Sequence, residues 1–204
     1  MPHRARRTAL SLLLALGAGA LAAAPTHAGT PHQPVALSTT ASDPVGDVRP
    51  DTSSGNAPER VLRSVDLSRI RYALRLDDDG RPKLLRITYR IDRVLHGARY
   101  DQALGTMIGP PRSRLTVLSL PSHHRKVYVV SASEEIGDPT DHRCRAATQR
   151  IDRDRDIVKQ VVPARCLGGF DGTETFRSWA LLERPGGADL AWDRTAPMRL
   201  PQGG

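Results

Sequence analysis

Apolar and polar residues alternate with a period of two along much of the chain beyond residue 66. In RIRYALRL, residues 69–76, Ile70, Tyr72, Leu74 and Leu76 alternate with Arg69, Arg71, Ala73 and Arg75. Successive side chains of an extended chain point to opposite faces, so this pattern predicts a strand with one buried and one wet face. LLRITYRIDRV, residues 84–94, repeats the pattern, with Leu85, Ile87, Tyr89 and Ile91 on one side. The intervening DDDGRPK has turn chemistry, so the two segments predict a hairpin. Further strands are predicted at RLTVLSL (114–120), KVYVVSAS (126–133), TFRSWALLER (175–184) and ADLAWDRT (188–195), with two more inside 144–167. ARYDQALGTMI, residues 98–108, reads equally as a strand or a short helix. Closely spaced strands separated by polar turns predict an all-β chain, an antiparallel β-sandwich over residues 61–204.

The N-terminus follows another pattern. Arg4, Arg6 and Arg7 precede an uncharged apolar run from Thr8 to Ala24, and Thr26 and Ala28 stand where a signal peptidase reads small residues. This is the layout of a secretory signal peptide, expected over residues 1–28. The run is short and rich in Ala and Gly, so no stable membrane span is expected after cleavage. Residues 29–60 are rich in Pro, Ser, Thr, Gly and Asp and are expected to form a flexible N-terminal segment. Asp43-Pro44-Val45-Gly46-Asp47 is its one candidate for order.

Charge narrows the partners. The 204 residues carry a formal charge of +8, almost all of it from Arg. No basic block is interleaved with aromatics, so nucleic acid is not an expected partner and the charge reads as a solvated surface.

Cys144 and Cys166 are the only cysteines. In a secreted chain such a pair defaults to a disulfide. The flanks RAATQRI and IVKQVV suit two strands folding back near Arg155, which would bring the cysteines together and staple the hairpin. A redox pair would need Cys-x-x-Cys, and a zinc site needs ligands beyond the nearby His142. Asp152, Asp154 and Asp156 begin like a calcium loop, but Ile157 and Pro163 stand where that loop needs Gly and Glu. They are expected to form a charged hairpin tip.

Three features together carry a resemblance: the signal peptide followed by Asp43-Pro44-Val45-Gly46-Asp47, the hairpin opened by Asp66, and the Cys144 to Pro163-Ala164-Arg165-Cys166-Leu167 stretch. Over about residues 43–170 the chain resembles a group of uncharacterised secreted actinobacterial proteins. Their expected fold is a β-sandwich similar to DOMON domains and family 9 carbohydrate-binding modules. The resemblance implies a calcium ion where an N-terminal loop crosses the sheet, with Asp43, Asp47 and Asp66 as hard oxygen donors. Ordinary turn chemistry is the plainer account of the same residues.

Trp179, amid apolar neighbours, is expected in the core, whereas Trp192 is a candidate platform for sugar rings. His123-His124 are expected in a solvated loop and Glu134-Glu135 at a polar loop edge. No nucleophile elbow, HExxH helix, P-loop or dinucleotide fingerprint is present, so no catalytic residue is assigned. The expected function is a secreted, non-catalytic binding module for cell-wall or other polysaccharide or for an extracellular protein. The alternatives are a hydrolase using carboxylates or His123 and His124, or an inhibitor or scaffold engaging a protein through loop 135–142.

Overall fold

A computed structural model describes residues 36–51, 57–96, 99–110, 115–121, 126–131 and 144–202. Residues 1–28, expected to be a signal peptide, and His123-His124, Glu134-Glu135 and loop 135–142 lie outside the described residues.

The alternating segments form two antiparallel sheets. The first contains β1 (Ala36–Ser42), β3 (Leu67–Leu76), β4 (Pro82–Ile91), β8 (Thr148–Asp152) and β9 (Ile157–Pro163), in the order β1-β3-β4-β9-β8. The second contains β2 (Arg49–Pro50), β5 (Asp101–Ile108), β6 (Leu115–Ser119), β7 (Val127–Ser131), β10 (Thr175–Arg184) and β11 (Ala188–Arg194), in the order β2-β11-β10-β5-β6-β7. A short β12 (Met198–Arg199) pairs with β10. One helical turn, α1 (Glu59–Leu62), runs into a 3-10 turn that delivers the chain to β3. The ambiguous 98–108 stretch resolves as β5, because its Leu104, Thr106 and Ile108 complete the inner face opposite β10.

The period-two residues meet between the sheets. Ile70, Tyr72 and Leu74 of β3 and Leu85, Ile87 and Tyr89 of β4 are buried together with Leu104, Ile108, Phe176, Ala180 and Leu182 of the second sheet. Tyr72 stacks on Phe176 across the interface at 4.9 Å between ring centroids.

A row of polar groups runs through this apolar layer. The Tyr72 hydroxyl pairs with Ser178 Oγ at 2.8 Å, Ser178 with Thr106 Oγ1 at 2.6 Å, and Thr106 with the Tyr89 hydroxyl at 2.7 Å. Tyr89 donates to Gln160 Oε1 at 3.1 Å, and Gln160 Nε2 donates to Ser119 Oγ at 2.7 Å. Each hydroxyl has one proton to give. Since that of Tyr89 goes to an acceptor-only oxygen, the protons upstream must run Tyr72 to Ser178 to Thr106 to Tyr89. Burial raises both tyrosine pKa values, so both stay neutral phenols and the row carries no charge.

Cys144 and Cys166 form the expected disulfide, with Cα atoms 6.0 Å apart. They sit just outside the paired residues of β8 and β9, so the bond closes the open end of that hairpin. At its tip, Asp156 is tied to another part of the chain: its Oδ1 accepts the Val94 N–H at 2.9 Å.

The expectation of a flexible segment over residues 29–60 is corrected for Ala36–Ser42, which form a paired strand. β1 pairs with β3 through seven consecutive residues, from Ala36↔Arg75 to Ser42↔Arg69. ALSTTAS supplies Leu37, Thr39 and Ala41 at alternate positions facing inward, and β-branched Thr suits a strand. An edge strand gains order from ladder hydrogen bonds and needs little apolar bulk, which composition alone does not register.

Candidate functional site

At the end of β1 the chain reverses. The Asp43 N–H donates to the Ser68 carbonyl at 3.3 Å, holding the start of the turn beside β3. Gly46 has φ +92°, a left-handed conformation that favours glycine, and its N–H donates to Asp66 Oδ2 at 2.6 Å. The chain then enters β2, where Arg49 pairs with Trp192 and Pro50 with Ala191. The Asp43–Asp47 turn thus bridges an edge strand of one sheet and an edge strand of the other.

Asp66 lies between the 3-10 turn and β3. Its N–H donates to Arg63 and its carbonyl accepts the Asp92 N–H at 2.9 Å. The side chain is 1% exposed, and Oδ1 is buried without a hydrogen-bond partner. Asp193, on β11, points inward and is 2% exposed. Its Oδ2 accepts the Leu67 N–H at 2.7 Å and its Oδ1 the Arg194 N–H at 2.6 Å. Asp43, Asp47 and Asp193 each present a carboxylate oxygen, and these atoms all lie within 4.8 Å of one another. Among the described residues no other group of acids or histidines converges in this way.

Collecting carboxylates at a partly dehydrated place makes ionisation costly. Burial, then Asp193, Asp47 and Asp66, push the Asp43 pKa up to about 7. Burial raises that of Asp66 as well, outweighing the Gly46 N–H that favours its charged form; Arg63 is the weakest of the influences on it. Asp193 is also raised, chiefly by burial and further by Asp47 and Asp66, against the N–H groups of Leu67 and Arg194. A buried oxygen of Asp43, Oδ2, lacks a partner too.

The donor set is all hard oxygen, the chemistry of calcium. Calcium–oxygen distances of about 2.3–2.6 Å place ligands on opposite sides of the ion about 5 Å apart. Oxygens within 4.8 Å of one another are therefore spaced to share one ion. Of the expected donors, Asp43 and Asp47 converge directly, and Asp66 reaches the same turn through Gly46. The fourth acid, Asp193, escapes sequence reasoning. A register shift between Leu182 and Glu183 breaks the β10–β11 pairing, so Leu190 and Ala191 are both buried and the simple alternation is lost. An acid inside a strand-like ADLAWDRT is the one available signal.

The opposite face of β11 carries a second feature. Trp192 is half-buried, with the guanidinium carbons of Arg49 and Arg194 at 4.9 Å and 5.5 Å from its ring centroid. Trp179, expected in the core, is instead half-buried on this outer face. Phe176, Ser178, Ala180 and Leu182 take the inner positions of β10, and that phase turns Trp179 outward. Its indole lies across Gly105 of β5, where any Cβ would overlap the ring. A shallow depression of about 330 Å³ lies between the two indoles. It adjoins, at Met107, a second depression of about 580 Å³ that includes Arg177 and Arg199. An apolar floor of two indoles edged by guanidinium groups suits a sugar polymer carrying anionic groups.

Among the described residues no helix is long and apolar enough to cross a membrane. No family model matches the chain, and neither the curated proteins nor the solved structures contain a match to it.

Proposed function

We propose that the protein is a secreted, non-catalytic binding module for cell-wall or other polysaccharide, and that the outer face of the second sheet is its binding surface. One observation carries this reading: Trp179 and Trp192 floor an open depression flanked by Arg194 and, beyond Met107, by Arg177. Sugar rings stack their C–H faces on such rings, and guanidinium groups bind carboxylate or phosphate oxygens in fixed geometry. The disulfide supports an extracellular setting, since such bonds persist in oxidising compartments.

Retention of the purified protein on insoluble wall and polysaccharide preparations, over a salt series, tests the reading. Retention surviving moderate salt, and reduced about tenfold or more by Trp192→Ala and by Trp179→Ala, is the expected result. Retention that salt alone abolishes, or that both variants preserve, would reduce the interaction to a basic surface touching an anionic polymer.

A further inference from the structure

We propose that the outer face of the first sheet is a docking surface for a linear polyol-phosphate polymer, separate from the face that carries Trp179 and Trp192. The charge of its five strands is one-sided: Asp152, at the end of the edge strand β8, is their only acid. The cations occupy the wet positions of the alternating pattern. In one row across the sheet, Arg71 of β3 pairs with Thr88 of β4, Thr88 with Lys159 of β9, and Lys159 with Arg150 of β8. In the next row, Arg69 pairs with Arg90. All five cations are exposed, and none forms an ion pair with another described residue.

Side chains directly opposite on one face have Cβ atoms about 4.5–5.5 Å apart, and like charges placed there repel. Arg69 with Arg90 and Lys159 with Arg150 are two such pairs. Each holds positive charge that the fold does not neutralise, at a spacing that lets one anion accept from both side chains. Beyond Arg71 the face dips. Ala73, Leu84 and Val161 floor a shallow depression of about 330 Å³ edged by Arg75 and Arg86, which extends the cationic face toward the β3–β4 turn.

The chemistry of the face selects its occupant. Cations repeated over several strands match a chain with a charge in every repeat unit, and all but Lys159 are guanidinium groups, which bind phosphate oxygens in fixed geometry. Tyr72 and Tyr89 are the only aromatic residues in these strands, and both are buried between the sheets. The face therefore lacks the aromatic platforms on which unpaired bases and sugar rings stack. A membrane surface takes apolar side chains that protrude, whereas Leu84 and Val161 lie in the dip. Phosphates joined by flexible polyols need neither platform nor anchor.

Calorimetric titration of the purified protein with poly(glycerol phosphate), at low and at moderate salt, tests the assignment. Polygalacturonate, single- and double-stranded DNA and vesicles of anionic phospholipid are titrated in parallel. Binding of poly(glycerol phosphate) that weakens as salt rises is expected. The pair Arg69→Gln/Arg90→Gln and the pair Arg150→Gln/Lys159→Gln, at exposed positions that leave the core untouched, should each weaken it about tenfold or more. Arg60→Gln/Arg184→Gln removes the same charge from exposed positions outside this sheet and should bind as the wild type does. Absence of binding, no loss in either site pair, or an equal loss in the outside pair would overturn the assignment. So would polygalacturonate, DNA or vesicles bound as tightly as poly(glycerol phosphate). The probe and the variants involve neither indole, so the outcome stands apart from retention of polysaccharide through Trp179 and Trp192.

Discussion

Asp43 shows how a single residue reports its surroundings. Burial first, and the neighbouring Asp193, Asp47 and Asp66 next, raise its pKa to about 7. An unfolded chain would ionise the same group near the ordinary 3.8. Between these values the folded state binds the extra proton, so stability declines as pH rises through this window. Thermal melting from pH 4 to pH 8 in the presence of a chelator should show that decline, and Asp43→Asn should lessen it, the raised Asp66 and Asp193 keeping the remainder. Melting that improves over the same range in the wild type would contradict the clustering. A second residue-scale test concerns Tyr89. Tyr89→Phe removes the donor to Gln160 Oε1 and the partner of Thr106, leaving buried acceptors and donors unmatched. A loss of about 1–3 kcal/mol in urea unfolding is expected. Some single residues were legible in the sequence and others were not. Asp43, Asp47 and Asp66 stand out as acids near turns, whereas Asp193 is hidden by a bulge that erases the phase of its strand. Trp179 is read inward because it stands amid apolar neighbours, yet Ser178 and Ala180 on either side of it are the buried residues.

At the scale of elements, strong alternation translated directly into structure. The β3–β4 hairpin follows the sequence pattern, because rows of Ile, Leu and Tyr against Arg leave only one face that can be buried, whereas β10 and β11 form where expected but with Trp179 turned outward and the alternation of β11 broken by a bulge. β1 was not legible, since its stability comes from seven paired residues on an edge and from the turn behind it. The β8–β9 hairpin is closed by chemistry as well as by pairing. Cys144 and Cys166 span 22 positions, and breaking their bond releases the open end of the hairpin. Loss of about 3 kcal/mol in urea unfolding under reducing conditions is expected on the loop-entropy account. Unchanged unfolding midpoints with the bond demonstrably reduced would show that the ladder alone holds the hairpin. The polar row between the sheets has a different role at this scale. Its donors and acceptors match only when Ser178 stands opposite Thr106 and Gln160, the β9 partner of Ile87, lies diagonally across from Tyr89. A slip of one residue in either sheet would set hydroxyls against aliphatic side chains, so the row fixes how the sheets align.

Among the described residues, strand β11 joins the two features of the candidate site. Its inner side offers Asp193 to the carboxylate group, and its outer side offers Trp192 and Arg194 to the depression beside Trp179. Asp193 in turn receives the Leu67 N–H from the first strand of the opposite sheet's hairpin. Whatever presses on Trp192 from outside therefore bears, one residue along the chain, on the acid that joins the two sheets.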